Sequence, residues 1–298
     1  MDEVTELSPR LHSWMASGRF MKADGVELWY RQFNRSRTDL PWLVCFHGFP
    51  TSSWDWHRLL PLLENRFRIL VFDFPGYGLS GKPTDRDYSL LRQCDAAEAL
   101  LAALDIRRFH LLAHDMGVTV ACEWMYRQQD GTSSFEALGY SVLNAGLYMT
   151  LHRPLPTQRL LRIPVLGTLT GRLASWRLFR NQYPLVYADP ESFSSEHYRE
   201  QWSLILHNHG RRTMAKVAGY MRERERRGQR WTRPIEQSRL PMQVIWGLSD
   251  PIAVPEIADR LEERNPSAAF HRLQGVGHYP QLEAPEVVAG HILAFVHD

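Results

Sequence analysis

An apolar run, Phe109-His110-Leu111-Leu112-Ala113, meets a helix-forming stretch, Val118-Thr119-Val120-Ala121, across the five residues Ala113-His114-Asp115-Met116-Gly117. A small residue two places before and two places after a central nucleophile is the spacing of a strained strand-to-helix turn, which pushes one side chain out at the top of a sheet. Serine is the commoner central residue; here it is Asp115. The exchange changes the chemistry. A serine alkoxide attacks carbonyl carbon, whereas a carboxylate can displace a leaving group from saturated carbon and form an ester on the enzyme itself. Aspartate in a turn is also commonplace, so the motif takes its weight from its surroundings.

Those surroundings alternate between strand and helix. Residues 19–33 form a hairpin pattern with a turn at Asp24-Gly25. Apolar strands follow at Trp42–Phe46, Arg68–Phe72, Phe109–Ala113 and Ala137–Asn144, with helices expected over 53–64, 89–104 and 116–129. The rhythm resumes at Met242–Trp246, with a helix near 254–264, a strand near 268–274 and a helix from about 285. Such alternation implies a mostly parallel, doubly wound sheet with right-handed crossovers. Residues 147–236 break it: they hold no strand pattern and are rich in Arg, Tyr, Trp and Leu. A helical insertion after the sixth strand would roof the carboxyl ends of the strands, where open α/β sheets bind ligands. The organisation expected is a core in two parts, 1–146 and 237–298, with a helical lid over 147–236.

Composition narrows the function classes. A formal net charge of +2 gives no reason to expect nucleic acid as a partner. Cys45, Cys94 and Cys122 lie at no metal-like spacing, each inside an apolar element, so they read as buried free thiols. No apolar stretch reaches membrane-spanning length, and Met1-Asp2-Glu3 starts no signal pattern, so a cytoplasmic location is expected. Arg222 to Arg227 reads as a solvated, ion-paired helix. His197, His207 and His209 read as surface or packing residues.

The remaining chemistry-bearing residues stand at strand ends. His47-Gly48-Phe49-Pro50 follows the third strand, and backbone N–H groups there, with that of Met116, suit an oxyanion hole; loop punctuation is the plainer alternative. Asp73 follows the fourth strand and reads as structural. Asp250, after the seventh, can orient a histidine or cap a helix. His278, between glycine and tyrosine after the last strand, can serve as a base. Asp115, Asp250, His278 is the nucleophile–acid–histidine order of one known fold.

On these residues the chain resembles the α/β-hydrolases of the epoxide hydrolase and haloalkane dehalogenase branch, over almost its whole length. The stretches His47 to Trp56 and His278 to Glu283, with Leu7-Ser8-Pro9, Leu11-His12-Ser13-Trp14 and His152-Arg153-Pro154, resemble the mesoderm-specific-transcript proteins. Animal members of that group carry an N-terminal membrane segment with no counterpart here, so their membrane location is not carried over. The resemblance implies an α/β-hydrolase fold, with an eight-stranded sheet flanked by helices and a helical cap after the sixth strand.

The branch offers several reactions at such an aspartate. Dehalogenases of haloalkanes usually hold halide with a Trp after the nucleophile and an Asn or Trp after the His-Gly pair; this chain has Met116 and Phe49. Dehalogenases of haloacids place arginines just after the nucleophile, where this chain has Met116-Gly117-Val118-Thr119. Epoxide hydrolases use lid tyrosines to protonate the opening oxygen. Tyr220 resembles the ring-opening tyrosine, with Tyr183 as first choice of companion and Tyr187 as second; packing is the plainer role for each. The resemblance therefore implies an epoxide hydrolase. Asp115 attacks, His278 and Asp250 activate water, and Phe49 and Met116 hold the oxyanion. His47, Trp54, Tyr187 and Trp176 are expected near substrate, with core packing an equal account of the tryptophans. A dehalogenase and a non-enzymatic binding protein are the alternatives. The partners expected are a small apolar epoxide and water, with a homodimer left open. No metal or organic cofactor is required.

Overall fold

The computed structural model describes residues 6–296; Met1-Asp2-Glu3 and the last two residues lie outside the described residues. Its centre is an eight-stranded sheet in the order β1-β2-β4-β3-β5-β6-β7-β8. The strands are β1 (Arg19–Ala23), β2 (Val26–Phe33), β3 (Trp42–Phe46), β4 (Arg68–Phe72), β5 (Arg108–His114), β6 (Glu136–Leu143), β7 (Met242–Gly247) and β8 (Ala269–Leu273). The β1–β2 and β2–β4 pairs are antiparallel, and every other pair is parallel. β3 and β7 are buried at every position, as strands covered by helices on both faces must be. That burial is why they read as unbroken apolar runs.

The helices flanking the sheet are α1 (Pro9–Ser17), α2 (Leu60–Leu63), α3 (Leu90–Ala103), α4 (Met116–Gln129), α11 (Pro255–Arg264), α12 (Pro280–Glu283) and α13 (Pro285–Phe295). Two differ from the sequence expectation. The helix expected over 53–64 is split into a 3₁₀ turn, Ser53–Trp56, and the short α2. Pro61 in α2's first turn has no N–H to bond back into the turn before it. α1 had no sequence signal assigned to it. Ser8 caps it by accepting from the Leu11 N–H, and Leu11 and Trp14 bury against the second core layer.

Between β6 and β7 the chain forms only helices and turns. They are α5 (Pro156–Leu161), α6 (Pro164–Arg172), α7 (Trp176–Gln182), α8 (Ser195–Leu206), α9 (Met214–Val217) and α10 (Tyr220–Glu236). α10 packs along α4, the helix behind Asp115. This segment therefore sits over the carboxyl ends of β3, β5 and β7. Among the described residues no helix is long and apolar enough to cross a membrane.

Candidate active site

Asp115 stands between β5 and α4 with φ 46° and ψ −112°, a backbone conformation costly for any residue with a Cβ. Close packing explains the small neighbours. A Cβ on Gly117 would lie 2.4 Å from the Phe46 carbonyl oxygen, and one on Gly48 would lie 2.7 Å from the Asp115 Cβ. The elbow thus forms only because two chains pass each other without side chains. The Phe49 N–H donates to Asp115 Oδ2 at 2.9 Å. Met116 is the first residue of α4, where a backbone N–H has no partner within the helix. Its sulfur accepts from the Tyr77 hydroxyl at 3.1 Å.

The base and its acid are joined. His278 Nδ1 lies 2.6 Å from Asp250 Oδ2. Asp250 is held by three further donors: Asn144 Nδ2 on Oδ2 at 2.8 Å, and the Ile252 and Ala253 N–H groups on Oδ1 at 2.8 and 3.0 Å. It therefore both orients the histidine and pins the turn after β7, so the capping alternative and the orienting role coexist. Burial opposes charging His278, but the Asp250 charge and hydrogen bond, aided by the Asp115 charge, outweigh it and raise the imidazole to about 9. Burial would likewise raise the Asp115 carboxyl. The charges of Arg224 and His278 and the Phe49 N–H outweigh it and hold the group below the ordinary carboxylate range.

Two histidines beside this pair stay neutral. His114 Nε2 donates to the His278 carbonyl at 2.7 Å, and burial, then the His278 charge, lowers it to about 3. His47 bridges the loops after β3 and β4: Nδ1 donates to the Gly48 carbonyl and Nε2 accepts from the Phe74 N–H. With both nitrogens taken by backbone, His47 lies outside the cavity lining, although the sequence places it near substrate. Asp73 is occupied in the same way, by the Ser53 and Leu79 N–H groups.

The roof contributes tyrosines and one arginine. Tyr220 is buried, with its ring 5.5 Å from Phe49 and its hydroxyl bonded to no described residue. Burial, then the Asp115 charge, pushes its phenol upward, so it stays protonated at neutral pH. Tyr183 is also buried, but its hydroxyl accepts from Tyr187 at 3.2 Å, and Tyr187 is itself 3.0 Å from His197 Nε2. Arg224 overturns the reading of residues 222–227 as a solvated helix: it is 2% exposed. Its Nε donates to Thr119 Oγ1 at 2.7 Å, its Nη2 to the Asp115 carbonyl at 3.1 Å, and its plane lies over the Tyr220 ring. Nη1 and the neighbouring His152 Nδ1 are buried without hydrogen-bond partners. Alternating Arg and Glu gave no sequence signal for this inward turn. Four residues separate Tyr220 from Arg224, one helical turn on the same face, and that spacing could have revealed it.

An apolar cavity of ≈ 90 Å³ separates roof from floor, with Phe49, Pro50 and His278 below and Tyr183, Phe179 and Leu161 among the groups above. Asp115 and Tyr220 adjoin it through Phe49, whose N–H holds one and whose ring packs on the other. The remaining aromatics expected at substrate lie elsewhere. Trp54 stacks on His57 at 4.2 Å and meets Trp14, in the core beneath α1. Trp176 is half-buried beside Phe179 under the Arg199 guanidinium. Tyr187 stacks on Tyr279, one layer behind Tyr183. Flat rings bury wherever apolar area is available, so residue type alone did not separate core from pocket. Among the described residues, no group of three or more His, Cys, Asp or Glu could hold a metal ion.

Comparison with known proteins gives one consistent lineage. Residues 43–291 match the model of the alpha/beta hydrolase family. LipZ of Mycobacterium tuberculosis, named provisionally as a hydrolase, is 33% identical over 291 residues, covering 98% of this chain and 99% of its own. The human mesoderm-specific transcript homolog protein is 32% identical over 299 residues, covering 98% and 89%. The crystal structure of haloalkane dehalogenase DbeA from Bradyrhizobium elkani superposes with a TM-score of 0.78 at 23% identity, covering 94% and 98%. At that identity the likeness extends to the fold.

Proposed function

The chain belongs to the α/β hydrolase family, and from that premise we propose that it is an epoxide hydrolase working through an ester on Asp115. In this reading the free carboxylate oxygen of Asp115, Oδ1, attacks one epoxide carbon and the carbon–oxygen bond of the ring breaks. Tyr220 hydrogen-bonds the departing oxygen and gives it a proton, leaving a hydroxyalkyl ester. Water then attacks the ester carbonyl carbon while His278 takes its proton. Oδ2 carries the tetrahedral charge against the Phe49 and Met116 N–H groups. Before that attack the His278 imidazolium returns a proton to the Tyr220 phenolate, which frees the base; collapse then expels the diol's alkoxide, which takes the proton of the new Asp115 carboxyl, so that carboxylate, phenol and imidazolium are all restored. Of the tyrosines, Tyr183 is the companion: it accepts from Tyr187, which leaves its own O–H free to donate into the cavity it lines.

The charges suit two successive steps. Before attack, a protonated His278 beside an ionised Asp115 stabilises the nucleophile in an apolar surrounding. Once Asp115 is esterified its negative charge is gone. One of the contributions that raised the imidazole disappears, and the base becomes easier to deprotonate. The observation carrying the epoxide reading is Tyr220: a protonated phenol, unbonded to protein and within the field of Asp115. The thioether of Met116 and the hydrocarbon ring of Phe49 offer a departing halide no side-chain donor.

Mass spectrometry of His278→Gln after incubation with a panel of epoxides and haloalkanes tests this reading. The variant should accumulate an Asp115 peptide heavier by the whole mass of the epoxide, since ring opening expels nothing. An adduct lacking the mass of a halogen, formed from haloalkanes alone, would make the protein a dehalogenase. No adduct from any member would remove the covalent route.

A further inference from the structure

Helix α6 is turned inside out. Its buried positions are Gly167 and Gly171, whereas Val165, Leu166, Leu169 and, at its end, Leu173 face solvent, Val165 at 82% and Leu173 at 68% exposure. A surface helix ordinarily presents its apolar stripe to the core. The inversion spreads beyond α6. Of the twelve large hydrophobic side chains exposed among the described residues, eight lie within residues 160–185. Exposed apolar side chains concentrated in one segment in this way mark something that covers them.

The charges nearby say what covers it. From Glu136 to Asp189 the sequence contains no acidic residue, yet it holds six arginines: 153, 159, 162, 172, 177 and 180. Only Arg162 is paired with a described acid, Glu225 of α10, and the other five are exposed. Arg199 of α8 adds a cation over Trp176, 5.5 Å from the ring centroid. A second copy docking symmetrically would set this cationic surface against itself, because a two-fold interface presents the same patch from both sides. An anionic lipid surface matches both features: the leucines enter the acyl boundary and the guanidinium groups bond the phosphates. The face is also continuous with the cavity, since Leu178 is both exposed on it and part of the cavity wall.

We propose that the exposed apolar face of residues 160–185 docks this protein on an anionic lipid bilayer, as a peripheral helix lying in the interface. Docking rests on the surface alone. Its consequence, that an apolar substrate passes from the acyl layer into the cavity along Leu178, rests on the function proposed above.

Flotation of the full chain with vesicles tests docking directly. With vesicles containing phosphatidylglycerol the wild type should float at low salt, and with phosphatidylcholine alone it should bind at least tenfold less. The double substitution Leu169→Asp with Leu173→Asp should lower binding to the anionic vesicles at least tenfold. The triple substitution Arg172→Gln, Arg177→Gln and Arg180→Gln should lower it by roughly fivefold per arginine, and added salt should mimic that loss. All five side chains are exposed, so unchanged melting would separate these effects from misfolding. Failure of the wild type to float would overturn the proposal. So would equal binding to both vesicle types, or a dimer in solution that the double substitution dissociates while no lipid binds. Epoxide turnover is scored separately: flotation without turnover removes the function and keeps docking, and turnover without flotation does the reverse.

Discussion

The floor and the roof of the cavity are built on opposite terms. On the floor the acid and its supporting groups are committed: Asp250 engages four partners, and His47 and Asp73 are fully taken up by backbone, while His114 Nδ1 is left without a partner. In the roof Arg224 Nη1 and His152 Nδ1 are buried without partners, and the Tyr220 hydroxyl makes no hydrogen bond to a described residue. Buried polar groups are rarely left unsatisfied unless something else meets them. The floor is thus preorganised for one chemistry. The roof holds the groups whose partners arrive with substrate or with a change of charge at Asp115.

The largest effect that would sharpen this contrast is at the floor. Asp115→Asn keeps the shape of the elbow but gives a poor nucleophile. Turnover of any accepted epoxide should fall by on the order of 10⁴-fold or more in kcat, with the melting temperature little changed or raised. Steady-state assay of purified variant and wild type on the same panel checks it. A residual activity within about tenfold of wild type would mean that Asp115 is not the reacting group.

A smaller effect is expected in the roof, where Tyr220 packs on Phe49 with no hydrogen bond to its hydroxyl and Tyr183 lines the cavity while accepting from Tyr187. Tyr220→Phe should cost roughly 10²-fold in kcat, the usual scale for losing a positioned acid, and little stability because its hydroxyl bonds to no protein group. Tyr183→Phe should cost less in kcat but some stability, since it breaks the chain running through Tyr187 to His197. Parallel kcat and denaturation measurements separate the two. Equal losses at both positions would erase the distinction between an open hydroxyl and an engaged one.

The same contrast decided what the sequence could disclose. Floor residues sit at strand ends, where the chain must turn sharply in a fixed way, so Gly48 and Gly117 mark Asp115 by the steric demand they relieve. The alternation of strands with helices, the helix over 116–129 and the join of Asp250 to His278 are legible for that reason. Roof residues sit on short helices with no such demand, and their roles depend on rotation about a helix axis. Tyr220 could be picked out by likeness to known proteins, yet Arg224 was hidden among alternating charges. Trp54, a large ring in a motif-rich loop, reads equally as pocket or core, and its packing partner Trp14, on α1, places it in the core.

Arg224 offers the finest test, because it belongs to the roof yet acts on the floor. Its guanidinium is the largest of the influences holding Asp115 ionised against burial, and no described carboxylate pairs with its side chain. Activity needs the ionised nucleophile, so kcat/KM should rise as pH climbs through the Asp115 pKa and level off above it. In Arg224→Met burial acts with less opposition, and the acid limb should move to higher pH. The ratio of activity at pH 4 to that at pH 8 should then fall below the wild-type ratio. Arg224→Lys keeps the charge while losing the two-donor grip on Thr119 and the Asp115 carbonyl, so its limb should stay near the wild-type position. A guanidinium that only braced the elbow would predict the reverse: an equal loss at every pH in both variants, with no movement of the limb. The pH profiles of the three proteins therefore decide whether the roof tunes the nucleophile by charge or merely props it.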